Sequence, residues 1–177
     1  MDEKTNLTLG EYIFSLAKGN VSALENIYLI MAKILYTIGN YYYEQKADIE
    51  DAIQDLLIEL YYKAKRFREN KNAYAWIIRI YVHLILNKMK HREKEDEYIA
   101  EKISKLKIDC ENTDEKYIDN HLFVKEIFRR LTGHEQQLII YRFWCKCSIG
   151  EISTILKKPK STIESQLKKV EEKVKKF

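Results

Sequence analysis

Residues 48–92 read DIEDAIQDLLIELYYKAKRFRENKNAYAWIIRIYVHLILNKMKHR, and the chain changes sign inside this stretch. Counted from Glu44, residues 44–60 carry six acids (Glu44, Asp48, Glu50, Asp51, Asp55, Glu59) and one base, Lys46. Residues 63–92 carry nine bases (Lys63, Lys65, Arg66, Arg68, Lys71, Arg79, Lys88, Lys90, Arg92) and one acid, Glu69. Apolar residues recur at helical spacing on both sides of the switch. Ile49, Ala52, Ile53, Leu56, Leu57 and Leu60 predict a helix over 49–66 with its acids outward. Trp76, Ile77, Ile80, Leu84 and Leu86 predict a second helix over 73–91, with 68–72 as a polar turn and Asn72 as its cap. Phe67, Tyr74, Trp76 and Tyr81 interleave the bases. An acidic helix followed by a basic, aromatic one suits two adjacent tasks: holding a protein partner, and binding the phosphates and base faces of nucleic acid.

Working outward, the 177 residues contain one proline and five glycines, which predicts an all-α fold. Ser/Thr followed three residues later by Glu, the capping-box pattern, occurs at Thr8/Glu11, Ser22/Glu25, Thr132/Glu135, Ser148/Glu151 and Ser161/Glu164. With the apolar periodicity these pairs predict helices near 9–18, 23–39, 115–131, 134–145, 149–157 and 161–175. Gly39-Asn40 is read as the terminator of the second, with continuation through Tyr41–Tyr43 as the alternative; these tyrosines are read as interface or core residues. Residues 94–114 are charged with weak apolar periodicity, as expected of a flexible linker, with a partly helical one as the alternative. The domain reading is therefore 1–93, a linker over 94–114, and 115–177: two small helical domains on a tether.

The chain carries 46% apolar residues and a net charge of +4, values ordinary for a globular protein. It has neither an apolar run long enough to span a membrane nor the pattern of a signal peptide. Three cysteines without export features fit a reducing cytoplasm. Cys145-x-Cys147 is too little for zinc, which wants four ligands, and His121 and His134 are not at ligand spacing on one element. No catalytic cluster, metal set or cofactor motif is evident, so an enzyme is not expected.

The last two predicted helices have helix-turn-helix spacing. Ile149, Ile152 and Leu156 line the first, with small Ser153 where the helices cross. Lys158-Pro159-Lys160 makes the turn, and Lys157 occupies the position where many such motifs carry glycine. Ile163, Leu167 and Val170 anchor the second helix, leaving Thr162, Glu164, Ser165, Gln166, Lys168 and Lys169 outward. Gln166 is suited to reading adenine in a major groove.

The two halves in this order resemble the sigma-70 family of bacterial transcription initiation factors, and most closely its extracytoplasmic-function (ECF) group, which has only regions 2 and 4. The resemblance lies in residues 15–25 (an opening helix pair), 48–62 (the acidic polymerase-gripping helix), Phe67-Arg68 with 74–80 (the start of −10 recognition), and 148–153 with 161–165 (the −35 helix-turn-helix). It implies that Asp48, Asp51, Gln54, Asp55 and Glu59 contact core RNA polymerase. It further implies that Phe67, Arg68, Asn70, Lys71, Asn72, Arg79, His83, Lys88 and Lys90 engage melted −10 DNA. His83 stands where many relatives have asparagine. Lys160, Ser161, Thr162, Glu164, Ser165, Gln166, Lys168 and Lys169 would meet the −35 duplex, with Glu164 and Gln166 standing where Lys and Arg are frequent. Core RNA polymerase and promoter DNA are the implied partners, with an anti-sigma factor as a further one; no cofactor is implied. Two other readings fit the residues: a stand-alone helix-turn-helix regulator, and a sigma-like interaction protein without promoter recognition. By pattern, Trp76 belongs to the core stripe, whereas Phe67 beside the polar turn is the better candidate for a base contact.

Overall fold

The computed structural model describes residues 3–68, 72–103 and 120–176, with side chains placed for 4–68, 72–92 and 124–176. Among these residues every regular element is helical. They are α1 (Glu3–Ala17), α2 (Ala23–Tyr42), α3 (Lys46–Lys63) with a 3₁₀ turn at Ala64–Arg66, and α4 (Ala73–Ile103). α5 (Asn120–Arg129), α6 (Gly133–Ile139) running into a π-helical turn at Ile140–Trp144, α7 (Ile149–Leu156) and α8 (Lys160–Val174) complete the chain.

Helices α1 to α4 form the N-terminal half, each packed on its sequence neighbour or, for α1 and α4, on each other. The centre is apolar: Ile13, Met31, Leu56, Leu60, Ile77 and Ile85 are fully buried, as is the ring of Tyr81. Each such aliphatic side chain contributes about 1.5–3 kcal/mol by leaving water. The six apolar positions expected inside α3 are all inward, five of them fully buried and Leu57 partly. Two side-chain acceptors cap α4: Ala75 N–H donates to Asn72 Oδ1 at 2.9 Å and Tyr74 N–H to Asn6 Oδ1 at 3.2 Å.

Several expectations are corrected. α1 begins at Glu3, six residues before its expected start, so Thr8 lies inside it and its hydroxyl donates to the Lys4 carbonyl. Ser22 makes no capping bond, and its hydroxyl turns to Asn20 Oδ1. Ser161 falls after α8 has begun. Thr132/Glu135 and Ser148/Glu151 form complete capping boxes. Gly39 does not end α2, which runs on to Tyr42. A Cβ at this position would lie 2.6 Å from Ile49 Cγ2 and 3.0 Å from Tyr81 Oη, so glycine is there to let α2 approach α3. Helix α4 continues through 94–103, the first half of the expected linker; residues 104–114 lie outside the described residues. α5 is described from Asn120, and residues 115–119 of the expected helix lie outside the described residues.

In the C-terminal half α7 and α8 pack as the expected helix-turn-helix. Lys157 adopts the left-handed conformation (φ 54°, ψ 43°), the backbone that makes glycine common there. Ser153 Oγ donates to the Lys158 carbonyl at 2.6 Å and pins the turn. The π-turn closes with Cys145 N–H on the Ile140 carbonyl at 2.9 Å. Cys145 and Cys147 are both buried, and their mutual hydrogen bond, then burial, pushes the Cys145 thiol pKa up. Both side chains belong to the apolar core.

The two halves touch. Tyr41 and Tyr42 at the end of α2 meet Phe128 of α5 and Trp144 of the π-turn, with ring centroids 5.0–5.8 Å apart. At the rim of this seam Lys125 Nζ donates to the Tyr43 carbonyl at 3.0 Å and Arg129 pairs with Glu44 at 2.9 Å.

Candidate polymerase and nucleic-acid interfaces

The five acidic-helix candidates divide into two groups. Asp51 and Gln54 are exposed on α3. Asp48 and Asp55 turn toward α4, where Asp48 pairs with Arg92 at 2.9 Å and Asp55 with Lys88 at 2.5 Å. Glu59 pairs with Lys63 on its own helix. Lys88, placed by sequence among the DNA contacts, is thus tied to an acid placed among the polymerase contacts. Beside Asp51 and Gln54 the outer face of α3 presents Ile58, Tyr61 and Tyr62, which are 56%, 48% and 72% exposed. Sequence reasoning missed these three. The available signal was an apolar residue outside the buried stripe, at one helical turn from Gln54.

The −10 candidates are spread over several environments. Phe67 is buried, its ring 5.4 Å from Phe14 and 5.2 Å from Trp76. It was the residue expected to meet a base, whereas Trp76, assigned by pattern to the core, is only partly buried and lines an open cleft. The periodicity could not separate them, because both lie on the apolar side and the difference is set by the 3₁₀ turn that tucks Phe67 under α1. Arg68 and Arg79 are exposed on the same cleft. His83 is exposed and shares a hydrogen bond with Asn87, and Lys90 is exposed. Asn72 caps α4 and reaches Glu151 Oε1 of α7 at 3.5 Å. Asn70 and Lys71 lie outside the described residues.

The outward face of α8 presents Ser161, Glu164, Ser165, Lys168 and Lys169, all exposed, with Lys160 at its start and Thr162 partly covered. Gln166 departs from expectation. It is partly buried, and its Oε1 lies 2.9 Å from His134 Nε2 on α6, while Lys158 Nζ lies 3.0 Å from the same nitrogen. In this arrangement its amide is held within the domain, and the open groups of α8 are hydroxyls, lysines and Glu164. Among the described residues no group of three or more histidine, cysteine or acidic side chains could hold a metal, and no helix is long and apolar enough to cross a membrane.

Residues 28–95, which span most of α2 through most of α4, match the family model of sigma-70 region 2. No curated protein matches the chain. Among solved structures, CnrH in complex with the cytosolic domain of CnrY superposes with a TM-score of 0.68 at 14% identity, covering 95% of each chain. The sigma factor RpoE in complex with the anti-sigma factor NepR from Bartonella quintana superposes with a TM-score of 0.64 at 18% identity, covering 86% of this chain and 94% of that one. Residues 28–95 thus match sigma-70 region 2, and the chain as a whole shares the fold of CnrH and of the sigma factor RpoE.

Proposed function

We propose that the chain is a promoter-specificity subunit that binds core RNA polymerase through α3 and directs it to promoters with a −10 and a −35 element. The observation that carries this reading is the outer face of α3, where Asp51 and Gln54 stand beside exposed Ile58 and Tyr62 within the stretch that matches sigma-70 region 2. Charge beside an uncovered apolar strip suits a protein interface with an anchored centre and a polar rim. Arg68, Arg79, His83 and Lys90 would hold the separated −10 strand, with Trp76 as the aromatic open to a base and Phe67 supporting it from beneath. Stacking on such a ring contributes about 1–3 kcal/mol per base. The lysines and hydroxyls of α8 would seat on the −35 duplex, chiefly through its phosphates. In the packed arrangement α7 faces Arg68 and Arg79 across the cleft, so DNA engagement requires the halves to part. A partner that holds them together would oppose initiation, and an anti-sigma factor, the kind of protein found in complex with RpoE, is the expected class of such a partner.

Run-off transcription with purified core polymerase and fragments of the source genome tests the proposal. Promoter-dependent transcripts are expected, and Asp51→Lys or Tyr62→Ala should abolish co-elution with core while leaving the fold intact. Absence of both transcript and co-elution would overturn it. The inward turn of Gln166 favours a second reading, an interaction protein that keeps α3 but not promoter recognition; co-elution with core without any promoter-dependent product would select it.

A further inference from the structure

The cleft between the halves is electrostatically unbalanced. It encloses about 680 Å³, within the range of small-molecule sites. Arg66, Arg68 and Arg79 line it from the N-terminal half and Lys157 from the opposite wall. All four are exposed, and none forms an ion pair among the described residues. The single acid of the lining, Glu151, is committed elsewhere: Oε2 accepts from the Ser148 backbone N–H at 2.8 Å and its hydroxyl at 2.9 Å, and Oε1 faces Asn72. Glu151 keeps its charge but pairs with none of the arginines, so the lining sets four cations against one carboxylate. The C-terminal half adds the fourth cation. Trp76 offers its indole in the same space, which continues into a second cavity of about 520 Å³ bordered by Arg66, Trp76, Arg79 and Lys157.

We propose that this interdomain cleft binds a small polyphosphate anion that bridges the arginines of the N-terminal half to Lys157 of the C-terminal half. Arginine forks suit phosphate oxygens, and a ligand carrying several such groups satisfies cations on both walls at once. Because the site is complete only while the halves are packed, such a ligand stabilises the packed form through its differential affinity for it. It thereby competes with any partner that needs Arg68 and Arg79 uncovered. A nucleoside triphosphate and inorganic tripolyphosphate share this chemistry; a base stacked on Trp76 distinguishes them.

The test is calorimetric titration of the full chain with tripolyphosphate, ATP, adenosine and a five-nucleotide single strand. Lys157→Gly removes one cation without straining the backbone, since the residue is left-handed at φ 54°. Expected are 1:1 binding of a polyphosphate that weakens with salt, and a loss of at least about tenfold in affinity in both Lys157→Gly and Arg79→Ala. Tighter binding of ATP than of tripolyphosphate assigns a nucleotide, and equal binding assigns the inorganic anion. Absence of polyphosphate binding at millimolar concentration would overturn the proposal. So would binding that ignores Lys157→Gly, which would put the anion on the N-terminal half alone, or binding of the oligonucleotide only. The titration contains no polymerase, so its failure leaves the transcription reading untouched.

Discussion

The junction between the halves has two ends of opposite chemistry. At one, Tyr41, Tyr42, Phe128 and Trp144 pack into an aromatic seam, with Phe128 only 2% exposed. At the other, α4 and α7 face each other across a basic cleft, where among the described residues a long polar contact joins Asn72 to Glu151 at 3.5 Å. Apolar burial is non-directional and large, whereas one exposed polar bond between mobile side chains contributes little. The seam therefore supplies the cohesion, and the cleft supplies the recognition chemistry. A junction built this way opens first at the cleft.

The largest effect should come from removing the seam's centre. Phe128→Ala deletes the ring shared by Tyr41, Tyr42 and Trp144, and should cost about 3–5 kcal/mol in urea unfolding of the C-terminal half. It should also raise the radius of gyration measured by small-angle scattering, as the halves separate. An unchanged radius in a folded variant would show that the seam is not what holds them.

Next comes the approach that positions the seam. Gly39→Ala places a methyl 2.6 Å from Ile49 Cγ2, in the turn of α2 that carries Tyr41 and Tyr42. A loss of about 1–3 kcal/mol is expected from overpacking, and Ile49→Ala in the same chain should recover part of it. If the double variant is no better than the sum of the singles, the clash is not the cause.

These residues mark where sequence reading succeeds and stops. The α3 core face was legible because its burial follows a period that the helix imposes locally. The helix-turn-helix was legible because Ile152, Ile163 and Leu167 pack within 16 residues of chain. Gly39 read as a terminator because a helix stop and a close helix crossing both call for glycine; only the position of Ile49 and Tyr81 separates them. Tyr41–Tyr43 could be placed at an interface or core, but the identity of Phe128 and Trp144 as their neighbours depends on a contact more than 80 residues away. The outward strip at Ile58, Tyr61 and Tyr62 was hidden by the acids around it. The burial of Phe67 beneath Trp76 comes from one 3₁₀ turn, below the resolution of a helical pattern.

A smaller, pH-dependent effect is expected at the cleft end. Burial alone would raise the Glu151 pKa, but hydrogen bonds from the Ser148 backbone and hydroxyl and from Asn72 outweigh it and hold the carboxyl below its ordinary 4.5. Glu135 at the head of α6 is likewise lowered, since bonds from Lys173 and Thr132 outweigh burial. A lowered folded-state pKa gives stability that is present above the unfolded value and is lost as pH falls through the folded one. Thermal unfolding should therefore weaken below about pH 4.5, and Glu151→Gln should flatten part of that slope. Ser148→Ala, which removes the cap outright, should cost about 1 kcal/mol at neutral pH. A pH slope unaltered in Glu151→Gln would assign acid lability to other groups.

The smallest effect belongs to the polar rim of the seam, and its size decides the comparison. Arg129 pairs with Glu44 at 2.9 Å, but the side chains are 42% and 77% exposed. Water and salt screen such a pair, and holding two long side chains in register offsets most of the attraction. A double-mutant cycle of Arg129→Ala and Glu44→Ala should therefore give a coupling energy below about 1 kcal/mol, vanishing as salt is raised. The aromatic term should survive the same salt, because burial of apolar surface carries no charge to screen. A coupling several times larger, or a compact form that salt alone dissolves, would reverse the assignment: cohesion would then lie in the charged rim, and the rings of Phe128 and Trp144 would merely fill the space it encloses.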